Sequence, residues 1–211
     1  MGFDEKELIE RLKKHFPDPK IELNYSNEFQ LLISIILSAQ TTDKKVNQIT
    51  PILFEKYPTI ESLANADLND LEMILRSLGY YKRKAMLIRE CAKAIVKNFK
   101  GKIPKTMEEL TSLPGVGRKT ASAFLVNAYK IPAIVVDTHV KRVAKRLNLS
   151  KENNPEKIEK DLAKFFSKEN WIYISNALVL FGRYICTANK PKCKKCQLVD
   201  ICPYKDKNFR G

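Results

Sequence analysis

Apolar residues recur at helical spacing along almost the whole chain. Leu8, Ile9 and Leu12 open a short amphipathic helix, and Phe29 to Leu37 is apolar all round, as in a helix at the centre of a core. Thr42 or Asp43 caps a third helix that reaches Lys56. Asp67 starts another, with Leu68, Leu71, Ile74, Leu75 and Leu78 on one face and Gly79 at the expected stop. Tyr81 to Phe99 follows, closed by Gly101, and Thr106 with Glu109 has capping-box spacing for a short helix through Leu113. Beyond a Pro-Gly-Val-Gly break, Ala121, Phe124, Leu125 and Ala128 mark the next helix, and Val140, Val143, Ala144 and Leu147 the one after. Asn154-Pro155 is a cap followed by proline at the first helical position, leading into Ile158, Leu162, Phe165 and Phe166. Trp171 to about Ile185 completes the set. Only Ile131 to Val136 is strand-like, and one short run makes no sheet. The pattern predicts an all-α protein without repeats or linkers.

Composition narrows the class. With 211 residues, 44% of them apolar, the chain suffices for one large domain or two small ones with a proper core. The longest apolar stretch, Leu31 to Leu37 broken only by Ser34, falls far short of the about 20 residues of a membrane span. The opening Met-Gly-Phe-Asp-Glu-Lys carries acids and no apolar signal region, so the expectation is a soluble, cytoplasmic protein with no membrane partner. Thirty-eight Lys and Arg against 24 Asp and Glu leave a net charge of +14, a field that attracts polyanions. Ribosomal proteins, basic RNA-binding domains and DNA-processing enzymes share such a charge. It proposes nucleic acid as partner and leaves the chemistry open.

Three groups of residues carry candidate chemistry. The first is Leu113-Pro114-Gly115-Val116-Gly117-Arg118-Lys119-Thr120-Ala121, between two helical patterns. Its two glycines permit positive φ and close approach of another backbone, and the N-terminus of the following helix offers N–H groups and a positive dipole end to a phosphate. Lys119 projects opposite the stripe of Ala121, Phe124, Leu125 and Ala128. The second is Asp137, eighteen residues on in Val-Val-Asp-Thr-His, which reads as a helix N-cap, as a carboxylate near the same chemistry, or as both. The third is Cys186-x6-Cys193-x2-Cys196-x5-Cys202, followed by Pro203. Four thiolates at such spacing suit zinc or a cubane cluster. Cys91 stands apart as a small buried hydrophobe, and His139 reads as structural.

The Gly-x-Gly-Arg-Lys-Thr-Ala run resembles the helix-hairpin-helix element of base-excision DNA glycosylases, in the form found in the endonuclease III branch. The Val-Asp-Thr-His run, the x6-x2-x5 cysteine spacing and Leu37-Ser38-Ala39-Gln40 are similar to the same family. The resemblance implies two helical domains flanking a DNA-binding cleft. A six-helix barrel at about 23–131 would carry the hairpin at 106–130, and residues 1–22 with 132–211 would form an iron–sulfur domain with its cluster loop at 186–202. It implies that Lys119 attacks C1′ of a damaged deoxynucleotide, that Asp137 assists from across the cleft, and that the four cysteines hold a [4Fe–4S] cluster. Gln40 would fill the gap left by the extruded nucleotide, with a second filler near Tyr80 or Tyr81. Leu113, Gly115, Val116, Gly117, Arg118 and Thr120 would meet the DNA at the hairpin; Lys82, Lys194 and Lys195 would meet it elsewhere. Lys82, Arg83 and Lys84 otherwise read as a solvated helix start.

The implied activity is glycosylase and abasic-site lyase action, by a monomer, on double-stranded DNA carrying oxidised pyrimidines or abasic sites. Mismatch-directed relatives that remove thymine, uracil or adenine also carry the cluster, many without a lysine at position 119. A non-catalytic iron–sulfur DNA-binding protein is the reading from another class. Lys119 and Asp137 together favour catalysis.

Overall fold

The computed structural model describes residues 2–209. Among them are eleven α-helices, two single 3₁₀ turns and no strand. The helices are α1 (Glu5–His15), α2 (Glu28–Leu37), α3 (Asp43–Lys56), α4 (Ile60–Ala64), α5 (Leu68–Leu75), α6 (Tyr81–Phe99), α7 (Met107–Thr111), α8 (Arg118–Tyr129), α9 (Thr138–Arg146), α10 (Pro155–Phe165) and α11 (Trp171–Tyr184). None is long and apolar enough to cross a membrane. The chain divides into two compact units, one formed by Glu22–Tyr129 and the other by the described residues on either side of that segment.

The starts of these helices follow from side-chain caps. Asp4, Asn27, Thr42, Asp67, Asp137 and Asn154 each accept a backbone N–H from the first turn that they precede. Two boundary expectations are corrected, and one short helix is added. α5 stops at Leu75 instead of running to Gly79; Leu78 stays buried through a turn in which its N–H donates to the Leu75 carbonyl. Thr106 caps α7, but its hydroxyl donates to the Glu109 carboxylate, so the reciprocal half of the capping box is replaced and the helix ends at Thr111. α4 was not foreshadowed by periodicity, because five residues are too few; its capping box of Thr59 and Ser62 makes it.

In the Glu22–Tyr129 unit, α6 packs on α2, α4 and α5, while α8 packs on α2 and α7. Every residue from Leu31 to Leu37 is buried, which places α2 at the centre, as its all-round apolar character requires. The turn before α8 is seated on this core: Gly115 has φ 78°, and a Cβ added there would lie 3.3 Å from Leu87 Cβ and 3.5 Å from Ile36 Cγ2. Gly117 lacks both constraints. It has no positive φ and nothing within 4 Å of an added Cβ, so only the first glycine of the pair is demanded by the fold.

The second unit packs α1, α9, α10 and α11 around Leu8, Leu12, Val140, Val143, Ile158, Leu162, Ile174, Leu178, Phe181 and Leu198. Its strand-like run at 131–136 is an extended lead-in to α9. Ser175 of α11 holds it there, accepting from the Val135 N–H at 3.0 Å and donating to the Ala133 carbonyl at 2.5 Å. α11 packs tightly on α9 at Gly182, where an added Cβ would lie 2.8 Å from His139 Cβ and 3.2 Å from the His139 backbone. Gly182→Ala is therefore expected to cost about 1–3 kcal/mol through overpacking. A chemical-denaturation midpoint equal to that of the unsubstituted protein would show that the two helices separate freely.

Candidate functional site

The hairpin of the Glu22–Tyr129 unit is anchored from below and open above. Leu113 and Val116 are buried, and the Val116 N–H donates to the Leu113 carbonyl, which closes the turn. Both side chains face the core, so any contact with DNA at these two positions runs through their main chain. Gly117, Arg118 and Lys119 are exposed, and Thr120 is half-buried. The Ala121 N–H donates to the Gly117 carbonyl, so α8 begins here, with its positive dipole end at the exposed face. Ala121, Phe124 and Leu125 are buried on the opposite side, which puts Lys119 in solvent as the spacing predicted. The open space over Gly117 lets a phosphate approach the main chain.

Asp137 lies in the other unit and is half-buried. One oxygen, Oδ1, accepts the Val140 N–H at 2.8 Å, which makes Asp137 the N-cap of α9. Its second oxygen is not engaged by that cap. His139 takes a structural part, its Nδ1 lying 3.2 Å from the Arg142 guanidinium. Sequence reasoning missed that guanidinium and its neighbour one turn on. Arg142 donates to the Gly182 carbonyl at 2.6 Å and to the Cys186 carbonyl at 3.0 Å. Arg146 donates to the carbonyls of Thr187 and Ala188 at 2.7 and 2.8 Å, reaches Cys186 Sγ at 3.4 Å and stacks over the Tyr204 ring. Their i, i+4 spacing on one helix was the available signal.

The cysteine loop is gathered by these arginines. Cys186, Cys193, Cys196 and Cys202 line one cavity together with Phe181, Ile185, Pro191 and Leu198. Among the described residues, no three His, Cys, Asp or Glu side chains are grouped closely enough to hold a single metal ion. The thiols surround a space instead of converging on a point. Backbone N–H groups of Leu198 and Asn208 donate to Cys196 Sγ and Cys193 Sγ at 3.4 and 3.3 Å. Burial pushes the Cys196 thiol up to about 11, an effect that the other three cysteines reinforce and the Leu198 N–H opposes. Burial also raises Cys202. Lys194 and Lys195 are exposed on the short 3₁₀ turn between Cys193 and Cys196. On the far side His15 Nε2 accepts the Gln197 N–H, and Arg11 donates to the Gln197 carbonyl and to Asp200.

Gln40, φ 54°, and Tyr80, φ 59°, are both exposed and both left-handed. Lys82 is exposed on the first turn of α6. Lys84 departs from its expected place on a solvated helix start. It is 4% exposed, and its ammonium donates to Thr41 Oγ1 at 2.5 Å. The signal was present: Lys84 falls on the buried stripe of Ala85, Ile88, Cys91, Ala92 and Ile95.

Residues 33–168 match the model of the HhH-GPD superfamily of base excision DNA repair proteins. Endonuclease III of Synechocystis sp. is 43% identical over 93% of this chain and 90% of its own length. Endonuclease III of Bacillus subtilis is 40% identical over 92% and 89%. Among solved structures, a trapped covalent intermediate of an endonuclease III with DNA matches with a TM-score of 0.89 at 40% identity, covering 95% of this chain and 96% of the other. The two relatives and the solved structure each cover more than nine-tenths of this chain, which belongs to the endonuclease III family of the HhH-GPD superfamily of base excision DNA repair proteins.

Proposed function

We propose that this chain is a cytoplasmic DNA glycosylase that removes oxidised pyrimidines from double-stranded DNA and cleaves the resulting abasic site through a lysine Schiff base. The observation that carries the reading is an exposed Lys119 at the first turn of α8, directly after a glycine turn open to phosphate, in a member of the endonuclease III family. Lys119 forms the bond to C1′ as the bond to the base breaks and the base leaves with the electron pair. Ring opening gives the Schiff base, which acidifies the C2′ proton; its removal expels the 3′ phosphate by β-elimination. Asp137 supplies the carboxylate that takes the amine's proton or offsets positive charge on the sugar. Gly115, Gly117, Arg118, Thr120, Lys82, Lys194 and Lys195 bind backbone phosphates.

Cys186, Cys193, Cys196 and Cys202 would hold a [4Fe–4S] cluster. Thiols spread around a cavity, with main-chain N–H donors on their sulfurs, suit a four-iron cube better than one tetrahedral ion. When bound, the cluster would supply a rigid centre that fixes the loop bearing Lys194 and Lys195.

Borohydride trapping on duplexes carrying thymine glycol or an abasic site tests the activity. Covalent adducts with both are expected. Trapping only at the abasic site would keep the lyase and replace the lesion; base release without an adduct would make the enzyme monofunctional. A further variant separates the two parts assigned to Asp137. Asn is as good an N-cap as Asp, so Asp137→Asn should leave the melting temperature nearly unchanged while slowing base release about 10²–10⁴-fold. Unimpaired single-turnover base release would reduce Asp137 to a helix cap.

A further inference from the structure

Lys84 presents a physical puzzle. An ammonium group is costly to bury without an anion. Here the one hydrogen bond of its ammonium among the described residues goes to the neutral Thr41 hydroxyl, and the nearby charge acting on it is another cation, Lys45. An apolar side chain at position 84 would simply continue the buried face of α6. What the lysine adds is reach. Its own N–H donates to the Tyr80 carbonyl at 3.0 Å, while its ammonium crosses to Thr41, whose N–H donates to the Ser38 carbonyl at 3.1 Å. One residue thus ties the turn at 38–41 to the turn that opens α6.

Those two turns are also the unusual ones. Five non-glycine residues have positive φ among the described residues: Gln40, Tyr80, Lys100, Lys130 and Asn148. The last three stand at or directly beyond the ends of α6, α8 and α9, where a left-handed residue is an ordinary helix stop. Tyr80 instead stands at the start of α6 with no side-chain cap, and Gln40 lies three residues past the end of α2. Left-handed non-glycine residues persist where surrounding structure fixes them, and they gather at working surfaces. Both side chains are exposed, Tyr80 at 69%.

We propose that Lys84 is a positioning residue that locks the Gln40 and Tyr80 turns together, so that the two side chains enter a DNA duplex as a pair. The inference rests on the reading of this chain as an enzyme that extrudes a nucleotide. The ammonium acts through Thr41 and does not touch DNA.

The test uses the full-length protein at saturating concentration on a duplex with an unreactive tetrahydrofuran abasic site opposite 2-aminopurine, whose fluorescence rises when it is unstacked. Wild type should give a rise. Lys84→Met, which keeps the stem, and Thr41→Val, which keeps the shape, should each lose about tenfold of the unstacking equilibrium, the usual range for a charged hydrogen bond. The double variant should be no worse than either, because both remove the same link. Thr41→Ser should restore the rise. Should Lys84→Met fail to fold, the Val and Ser pair at position 41 decides the matter. Full wild-type fluorescence in Thr41→Val, or a double variant showing the product of two independent losses, overturns the proposal. If wild type itself gives no rise but is trapped by borohydride, paired intrusion is wrong and the glycosylase reading stands; if neither is seen, both fall.

Discussion

Replacing Lys119 by Gln should abolish strand cleavage and borohydride trapping while leaving DNA affinity within a few-fold of wild type. Gln keeps most of the stem and has similar helix propensity, so α8 is not disturbed. Lys119 is exposed, and substitutions at such positions ordinarily change stability by less than about 0.5 kcal/mol. What disappears is the amine proposed to form the Schiff base. Losing a nucleophile whose partners remain in place costs at least about 10³-fold in turnover. Gel-shift titration, thermal melting and single-turnover nicking on the same preparation separate the three quantities. Retained nicking with a trapped adduct would transfer the chemistry to another amine.

Cys196→Ser should lose iron and stability together. Ser offers a poor ligand in place of a thiolate, and the cavity lined by Arg146 then has three sulfurs for the proposed group, which needs four. Because a metal centre bound only by the folded chain contributes its binding free energy to folding, a loss of at least about 3 kcal/mol is expected. For a chain of this size that lowers the melting temperature by about 10 °C. Iron content and a melting curve measure it without recourse to activity. Cys91→Ala is the contrasting variant. Cys91 is fully buried in α6 and lies in the other unit from the four-cysteine loop, so its loss should cost core packing and leave iron unchanged. A stable, iron-free and active Cys196→Ser protein would refute the structural cluster.

Much of this architecture was legible because helices announce themselves locally. Thr42, Asp67, Asp137 and Asn154 cap the elements that their positions foretold, and the buried all-round helix at Phe29 to Leu37 is the centre of its unit. The candidate residues of the hairpin and cysteine loop were legible for another reason: close spacing in sequence brings their chemistry together. What was hidden depends on distant packing. Gly115 and Gly117 look alike in the sequence, yet only Gly115 presses on Leu87 and Ile36. Gly79 looked like a helix stop, but Leu78 turned inward first and passed the left-handed position to Tyr80. Lys84 was read by its charge when its register placed it on the buried face, and the partner that makes burial tolerable, Thr41, is 43 residues away. The arginines of α9 were two among many basic residues until the carbonyls around Cys186 gave them work.

The discontinuity of the second unit has a consequence for biosynthesis. α1 leaves the ribosome before the helices it packs on, yet Leu8 and Leu12 are buried in a core that Ile174, Leu178 and Leu198 complete, and Arg11 meets Gln197 and Asp200 across more than 180 residues. Glu5 likewise waits for Ser167. An eleven-residue helix holds little structure alone in water. At about 5–20 residues per second, α1 remains unpartnered for roughly 10–40 s while Glu22–Tyr129 already has all its own helices. The nascent chain therefore carries a waiting apolar stripe, open to chaperones, and the unit that contains it closes only after Asp200 has been made. Synthesis halted anywhere upstream of the cysteine loop would leave the first helix without its pocket.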